Sequence, residues 1–120
     1  MAKSVQIKED VQRCCAQDLM AVRDALHALS GTWKLPILMA LSGGTKRFKE
    51  LSKEVAGISD KMLSKELKDL EMNLLVKRTV YDSFPPTVEY SITDYKTSLN
   101  TVITELRDWG RQHRKKVLGK

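Results

Sequence analysis

The spacing of the apolar residues changes twice along this chain, and this limits the folds that the chain can adopt. Up to residue 74, apolar residues recur every three or four positions, as they do on one face of a helix. From residue 76 to residue 92 they alternate with polar residues, which predicts two strands, and after residue 93 the helical spacing returns. Because 120 residues leave room for one domain, we expect helices, a hairpin and a final helix around one core.

Local start and stop signals predict four helices in the first part of the chain. The first is indicated by apolar residues at helical spacing from Cys15 to Leu29. The second is almost wholly apolar and is expected to begin after its N-cap Thr32 and to end at Leu41. A short third helix is expected at about residues 47–55, and a fourth at about residues 59–73 with Ser59 as its N-cap. The expected buried stripe of the fourth helix comprises Met62, Leu63, Leu67, Leu70 and Leu74.

The second part of the chain predicts a hairpin and a long helix. Residues 82–86 read Asp-Ser-Phe-Pro-Pro and are expected to turn the chain between the two strands. Thr93 is expected to cap the last helix, whose basic end at residues 111–116 should be solvated and free to fray. Helices joined by a short turn and followed directly by a hairpin are typical of a winged helix-turn-helix. We therefore predict a mainly α fold with a small β-hairpin, of the winged helix-turn-helix type.

The positive charge of the chain is concentrated in its middle. The net charge is +6, and residues 31–78 hold ten basic and six acidic residues. A local basic surface favours a polyanionic partner such as nucleic acid. No carboxylate pair, metal cluster, phosphate loop or nucleophile with a base stands out, so we expect neither an enzyme nor a cofactor. Without a signal-peptide pattern or an apolar run long enough for a membrane span, we expect a cytoplasmic, nucleoid-associated protein.

The fourth helix has a basic face of the kind that binding in the major groove needs. Lys61, Lys65 and Lys68 recur at spacings of three and four residues, so they share a face opposite the apolar stripe. One alternative is a solvated face with ion pairs, such as Lys61 with Glu66. Another is a winged-helix module that binds proteins without binding DNA. The residues predicted to contact double-stranded DNA are Lys34, Thr45, Lys46, Arg47, Ser59, Lys61, Ser64, Lys65, Lys68, Lys77 and Arg78.

Position along the elements predicts different roles within this set. The N-terminal half of the fourth helix is expected to meet base edges, and Lys68 further along is expected to reach a phosphate. The start of the third helix is expected to hold a phosphate, and Thr45 either caps that helix or contacts the phosphate itself. Lys77 and Arg78 open the first strand of the wing. The wing tip, residues 84–86, is either a rigid turn or a DNA contact.

Five sequence blocks resemble motifs of the HxlR family of bacterial, MarR-like regulators. The blocks occur in the same order as the family motifs. The resemblance as a whole covers roughly residues 19–113. The blocks read GTWKLPILMAL (31–41), RFKEL (47–51), GISDKMLSKELKDLE (57–71), PPTVEYSIT (85–93) and WGRQH (109–113).

The resemblance implies a homodimeric regulator that binds a pseudo-palindromic operator. In that family the N- and C-terminal helices form the dimer contact. The resemblance implies a single domain with three parts, which are an N-terminal dimerisation helix (1–30), a DNA-binding core with the wing (32–92) and a C-terminal dimerisation helix (93–118). The residues expected at the dimer interface are Leu19, Val22, Leu26, Leu99, Val102, Leu106 and Trp109.

The two cysteines are the remaining candidates for function. Some members of the family sense oxidants through a cysteine near the start of the first helix, so the resemblance makes Cys14 and Cys15 possible redox sensors. The positions differ, because in those sensors the cysteine lies about one turn closer to the tryptophan, where this chain has Leu19 or Met20. The alternative is that one cysteine packs as a small apolar residue and the other lies at the surface. A small-molecule effector is equally compatible with the sequence.

Overall fold

The computed structural model describes residues 16–119, so Cys14 and Cys15 lie outside the described residues. The chain divides into two compact units, residues 1–30 and residues 31–120. The first unit contributes one described helix, α1 (Ala16–Leu29), which by itself buries none of its residues. The second unit contains, in order, α2 (Lys34–Leu41), β1 (Lys46–Arg47), α3 (Phe48–Glu54), α4 (Asp60–Met72), β2 (Val76–Tyr81), β3 (Thr87–Ile92) and α5 (Lys96–Leu118).

A small antiparallel sheet forms the wing and ties it to the helices. Its strand order is β1-β3-β2, with Val76 opposite Ile92 at one end of the hairpin and Tyr81 opposite Thr87 at the other. The predicted hairpin is therefore confirmed. The third strand, β1, was not expected from the sequence, because two residues are too few to show an alternating pattern.

The core of the second unit lies between α2, α3, α4 and the start of the sheet. Its fully buried side chains come from each of these elements, so one apolar cluster fixes their packing. The apolar second helix was expected to be the buried central helix, and Ile37, Leu38 and Leu41 of α2 are almost completely buried. The most buried side chains are Ile37, Leu38, Leu41, Leu51, Leu63, Leu67, Leu70 and Val76.

The N-terminus of α4 is capped as predicted. The Ser59 hydroxyl accepts a hydrogen bond from the Met62 N–H at 3.1 Å, which satisfies one of the unpaired N–H groups of the first turn. Asp60 follows in the first turn, where its negative charge is favourable at the positive end of the helix dipole.

The two other predicted N-caps, Thr32 and Thr93, are wrong, and the capping alternative for Thr45 is removed. The helices α2, α3 and α5 have Trp33, Arg47 and Tyr95 at their N-cap positions, and not Thr32, Thr45 and Thr93. At α3 no hydroxyl caps the helix. Instead the carboxylate of Glu50, in the first turn, accepts a hydrogen bond from the Arg47 N–H at 2.9 Å. The Thr93 hydroxyl instead donates to the Leu74 carbonyl at 2.7 Å and joins the end of β3 to the end of α4.

Leu74 does not belong to the buried stripe of α4, contrary to the prediction. It follows the helix with a positive φ of 64° and is 66% exposed, while its neighbour Leu75 turns inward and is buried. The left-handed conformation ends the helix, because the chain reverses direction there. The basic end of the last helix is exposed as predicted, and α5 is helical through Leu118.

None of the helices within residues 16–119 combines the length and the apolar content that a membrane span needs.

Candidate nucleic-acid interface

Helices α3 and α4 form a helix-turn-helix through a short, closely packed turn. Val55 and Ile58 in the turn are buried, and Gly57 between them has a φ of +88°, a region that residues with a side chain rarely adopt. The Ser52 hydroxyl of α3 donates to the Asp60 carboxylate of α4 at 3.1 Å. The turn therefore holds the N-terminus of α4 in one position relative to α3.

The exposed face of α4 carries three lysines, with the exposed acids Asp60 and Glu71 at the two ends of the helix. Lys61, Lys65 and Lys68 are exposed, whereas Leu63 and Leu67 on the inner face are almost completely buried. Successive lysines are four and three residues apart, so their side chains lie in one row along the helix. Ser64 lies beside this row and is half-buried, and Ser59 is exposed at the start of the helix. We call Lys61, Lys65 and Lys68 the lysine row.

Lys34 does not lie on this surface. The residue is buried, and its ammonium group is 3.0 Å from a Glu66 carboxylate oxygen and 3.6 Å from an Asp69 carboxylate oxygen on α4. A cation that is paired inside the protein is not available to a phosphate. The prediction that Lys34 contacts DNA is therefore corrected, and the same contacts give Lys34 the role of holding α2 against α4.

Glu66 and Asp69 are the residues of this region that sequence reasoning missed. Glu66 is buried, and its carboxylate accepts a hydrogen bond from the Lys34 ammonium. The two residues are 32 positions apart in the sequence. The signal in the sequence was the position of the two acids, which are three residues apart and fall next to the apolar stripe of the helix. The interpretation that Glu66 pairs with Lys61 is replaced by its pairing with Lys34.

Of the two predicted cations at the start of α3, Arg47 is exposed and Lys46 is engaged in an ion pair. Arg47 and Thr45 are exposed. The Lys46 ammonium is 2.9 Å from a Glu54 carboxylate oxygen, and its side chain is largely covered. Lys49 and Lys53 of α3 are also exposed and were not among the predicted contacts. Arg47 is therefore the most accessible of the predicted cations at this end of α3.

The base of the wing is basic, and the rest of the wing is not. Lys77 and Arg78 on β2 are both exposed, and they point to opposite faces of the sheet because they are consecutive in a strand.

Further along β2, the exposed Tyr81 has its pKa raised above the ordinary value. Its phenol hydrogen-bonds to the Glu89 carboxylate of β3, and the negative charge of that carboxylate disfavours the phenolate.

The predicted dimer residues are exposed apolar side chains, with one exception. Leu19, Val22 and Leu26 are exposed on α1, at the spacing of one helix face. Val102, Leu106 and Trp109 are exposed at similar spacing on α5, and Trp109 stacks on His113 with ring centroids 4.9 Å apart. Leu99 is buried in the monomer, so we remove it from the candidate interface.

Comparison with known sequences agrees with this architecture. The family model described as HxlR-like helix-turn-helix matches residues 28–117, which are three quarters of the chain. The HTH-type transcriptional regulator YtcD of Bacillus subtilis (strain 168) is 37% identical over 100 residues, 83% of this chain and 79% of YtcD. The HTH-type transcriptional regulator BH0655 of Halalkalibacterium halodurans is 43% identical over 86 residues, 71% of this chain and 76% of BH0655.

Solved structures with the same fold include two regulators whose redox states were studied. The redox regulator HypR in its reduced form has a TM-score of 0.76 and 31% identity, covering 83% of this chain and 99% of HypR. The reduced form of the transcriptional regulator YodB from B. subtilis has a TM-score of 0.71 and 35% identity, covering 82% of this chain and 93% of YodB. The chain therefore belongs to the HxlR-like helix-turn-helix family of transcriptional regulators.

Proposed function

We propose that the protein regulates transcription by binding a specific double-stranded DNA site as a homodimer. The observation that carries this proposal is the lysine row on the outer face of α4. A helix with a basic outer face and a firmly buried inner face can enter the major groove, which is ~12 Å wide, without losing its packing. Lys61, Ser64 and Lys65 in the first half of α4 are the proposed contacts to base edges, and Lys68 is a proposed contact to phosphate.

The flanking contacts in this proposal come from α3 and from the base of the wing. Arg47 and Thr45 are accessible where α3 begins, and Lys77 and Arg78 are accessible where the wing begins. These positions suit contacts to phosphate, which fix the register of α4 without reading the sequence. Lys46 contributes less in this proposal, because a DNA phosphate would have to compete with Glu54 for its ammonium group.

Selection of bound fragments from genomic DNA by the purified protein tests the proposal and identifies the operator. We expect enrichment of a few sites with an inverted repeat whose half-sites are one or more helical turns apart. On such a site the logarithm of the affinity should fall linearly with the logarithm of the salt concentration, because bound cations displace counterions. No enrichment above input DNA would favour the protein-binding alternative.

The homodimer in this proposal is supported by the two uncovered apolar helix faces. Leu99 is the one buried residue of α5, a helix of 23 residues that is ~34 Å long. The apolar side chains beyond it remain exposed in the monomer, and contiguous apolar surface of this kind is typical of interaction sites. A second copy presents the same faces, so a two-fold axis would bury both.

We expect the double substitution Leu106→Glu/Trp109→Glu to convert the dimer into a monomer. Four buried carboxylates per dimer without partners would cost far more than the loss of apolar contacts alone. Light scattering after size exclusion measures the mass, and operator affinity should fall by at least ~100-fold because one half-site alone is read. The control Asn100→Glu/Thr104→Glu adds the same charge to the opposite face of α5 and should remain dimeric. A dimeric Leu106→Glu/Trp109→Glu variant would contradict the proposed interface.

We propose that any thiol-based response of this protein to oxidants passes through Cys14 or Cys15, because the sequence has no other thiol. The similarity to HypR and YodB motivates the question. If thiols regulate DNA binding, diamide will release the wild type from its operator and leave Cys14→Ser/Cys15→Ser bound. Equal release of both proteins would exclude a thiol switch and leave a small-molecule effector as the signal.

A further inference from the structure

A cleft lies where the end of α4, the start of β2 and the start of α5 meet. Its volume is about 550 Å³, which is within the ~300–1,000 Å³ typical of small-molecule sites. The residues that line it belong to the segments 71–78 and 93–95, and they include neither the lysine row nor the predicted dimer residues. Nothing in DNA binding or dimer formation, as proposed above, requires a cleft at this place.

The walls of the cleft are held together by Thr93. Its hydroxyl donates to the Leu74 carbonyl at 2.7 Å, and its N–H donates to the Leu75 carbonyl at 3.2 Å, so the end of β3 is joined to the end of α4. The Thr93 carbonyl accepts a hydrogen bond at 3.1 Å from the N–H of Lys96, the first residue of α5. A site that is already formed loses less entropy when a ligand binds.

Leu74 forms an apolar wall of the cleft in a strained backbone conformation. Within residues 16–119 it is the one residue other than glycine with a positive φ, a conformation that disfavours a side chain. The side chain is nevertheless mostly exposed, so it adds little to the core. Conformations of this kind cluster at functional sites. Tyr95, which is about half exposed, adds a second apolar surface to the lining.

The cleft is bordered by two positive and two negative side chains. Lys77 and Arg78 come from β2, and both can border the cleft because β2 is the edge strand of the sheet. Glu71 comes from the last turn of α4, and Asp94 comes from the segment before α5. Within residues 16–119 none of the four takes part in an ion pair. The four charges therefore sum to zero without neutralising each other in pairs.

This arrangement of charge favours a ligand that carries both signs. A simple anion would be attracted by the two cations and repelled by the two carboxylates, and a simple cation would meet the reverse. A zwitterion can place one charge near each kind of group. The exposed apolar surface of Leu74 and Tyr95 adds a preference for an apolar side chain. A free amino acid with a large apolar side chain has all of these properties.

We propose that the cleft binds a free amino acid with a large apolar side chain, and that the bound amino acid weakens operator binding. The effect on the operator rests on the proposed function, in which Lys77 and Arg78 contact phosphate. The carboxylate of the amino acid takes the place of that phosphate, while its side chain covers Leu74. The amino acid and the operator therefore exclude each other, and each lowers the affinity for the other by the same factor.

NMR titration of the isotope-labelled full-length protein with L-phenylalanine, L-leucine and L-tryptophan tests binding without DNA. We expect saturable changes of the amide shifts within residues 71–78 and 93–95. For each amino acid that binds, the N-acetyl derivative keeps only the negative charge and the decarboxylated amine keeps only the positive one. Each derivative should bind at least ~10-fold more weakly, because it loses one set of charge-assisted hydrogen bonds. The absence of saturable shifts with all three amino acids, or equal binding of a derivative, would overturn the inference.

The variant Leu74→Gly tests the site without disturbing the fold. Glycine adopts a positive φ readily, so the melting temperature should not fall. The affinity for the amino acid should drop at least ~10-fold, because the apolar wall is removed. Asp94→Asn removes one charge of the lining and should also weaken binding. The matched control Glu105→Gln removes a charge from the exposed surface of α5 outside the cleft and should bind like the wild type. Unchanged affinity of Leu74→Gly or Asp94→Asn would overturn the assignment of the site.

Fluorescence anisotropy with the operator recovered by genomic selection tests the regulation. With the amino acid at about ten times its Kd, the operator affinity of the wild type should fall about tenfold. Leu74→Gly, relative to its own affinity without amino acid, should lose much less. Operator binding that a bound amino acid leaves unchanged would overturn the proposed competition. Failure of the wild type to bind any duplex would overturn the proposed function itself, and the amide shifts would still report binding in the cleft.

Discussion

Replacing Lys61 and Lys65 by glutamate is expected to abolish operator binding while the protein remains folded. Each chain loses two positive charges and gains two negative ones at the centre of the proposed interface. Lost phosphate and base contacts, together with repulsion by the DNA backbone, should lower the affinity by roughly 1000-fold or more at moderate salt. Anisotropy titration with the selected operator measures this loss.

The fold should survive this change because neither lysine supports the packing. Both side chains are exposed, and within residues 16–119 neither takes part in an ion pair. Exposed substitutions of this kind usually change the free energy of unfolding by less than ~0.5 kcal/mol. Circular dichroism and the melting temperature check this expectation before binding is compared.

A matched charge reversal separates local contact from net charge. Lys115 and Lys116 are exposed in the last turn of α5, and Lys115→Glu/Lys116→Glu changes the net charge by the same amount. We expect this control to lose only a small part of its affinity, since neither lysine belongs to the proposed DNA contacts and salt screens exposed charges that make no direct contact. Full operator affinity in Lys61→Glu/Lys65→Glu would refute the assignment of α4 as the helix that enters the major groove.

The order of elements could be predicted because long elements repeat their pattern many times. The stripe on α4 and the alternation in β2 and β3 each extend over several residues. The stripe is confirmed except for Leu74, and the predicted hairpin is confirmed. The strand β1 could not be predicted, because two residues show no alternating pattern and their partners, Tyr90 and Glu89, lie far along the chain. The caps predicted at Thr32 and Thr93 failed because threonine also occurs in ordinary loops, and the helices begin at Trp33 and Tyr95 instead.

The lysine row and Lys34 show which part of a site is visible in a sequence. Side chains on one helix share a face by geometry alone, so the row on α4 followed from spacing. Whether the first turn of α2 faces water depends on which helix packs against it. For Lys34 that neighbour is α4, and its partner Glu66 is 32 residues away, beyond the reach of any local pattern.

The Lys34–Glu66 pair leads to the largest expected effect on stability. Lys34→Met removes the ammonium group and leaves the Glu66 carboxylate buried at the contact between α2 and α4. Asp69 lies 3.6 Å from the same ammonium and adds a second unbalanced charge, although it is less buried. Removing one partner of a buried pair costs about 3–5 kcal/mol, so we expect a loss of ~3 kcal/mol in the free energy of unfolding, measured by urea denaturation.

Two further variants distinguish a buried charge from lost packing. Lys34→Met/Glu66→Leu removes both charges and should recover most of the stability, because an apolar pair of similar volume often replaces a buried ion pair without loss. Lys46→Met breaks a more exposed ion pair with Glu54 and should cost less than ~1 kcal/mol. If Lys34→Met cost no more than Lys46→Met, the pair would contribute nothing to the packing of α4. Because α4 carries the lysine row, a change in the position of α4 should weaken operator binding. We therefore expect Lys34→Met to bind the operator more weakly than the wild type, and Lys34→Met/Glu66→Leu to bind it about as well as the wild type.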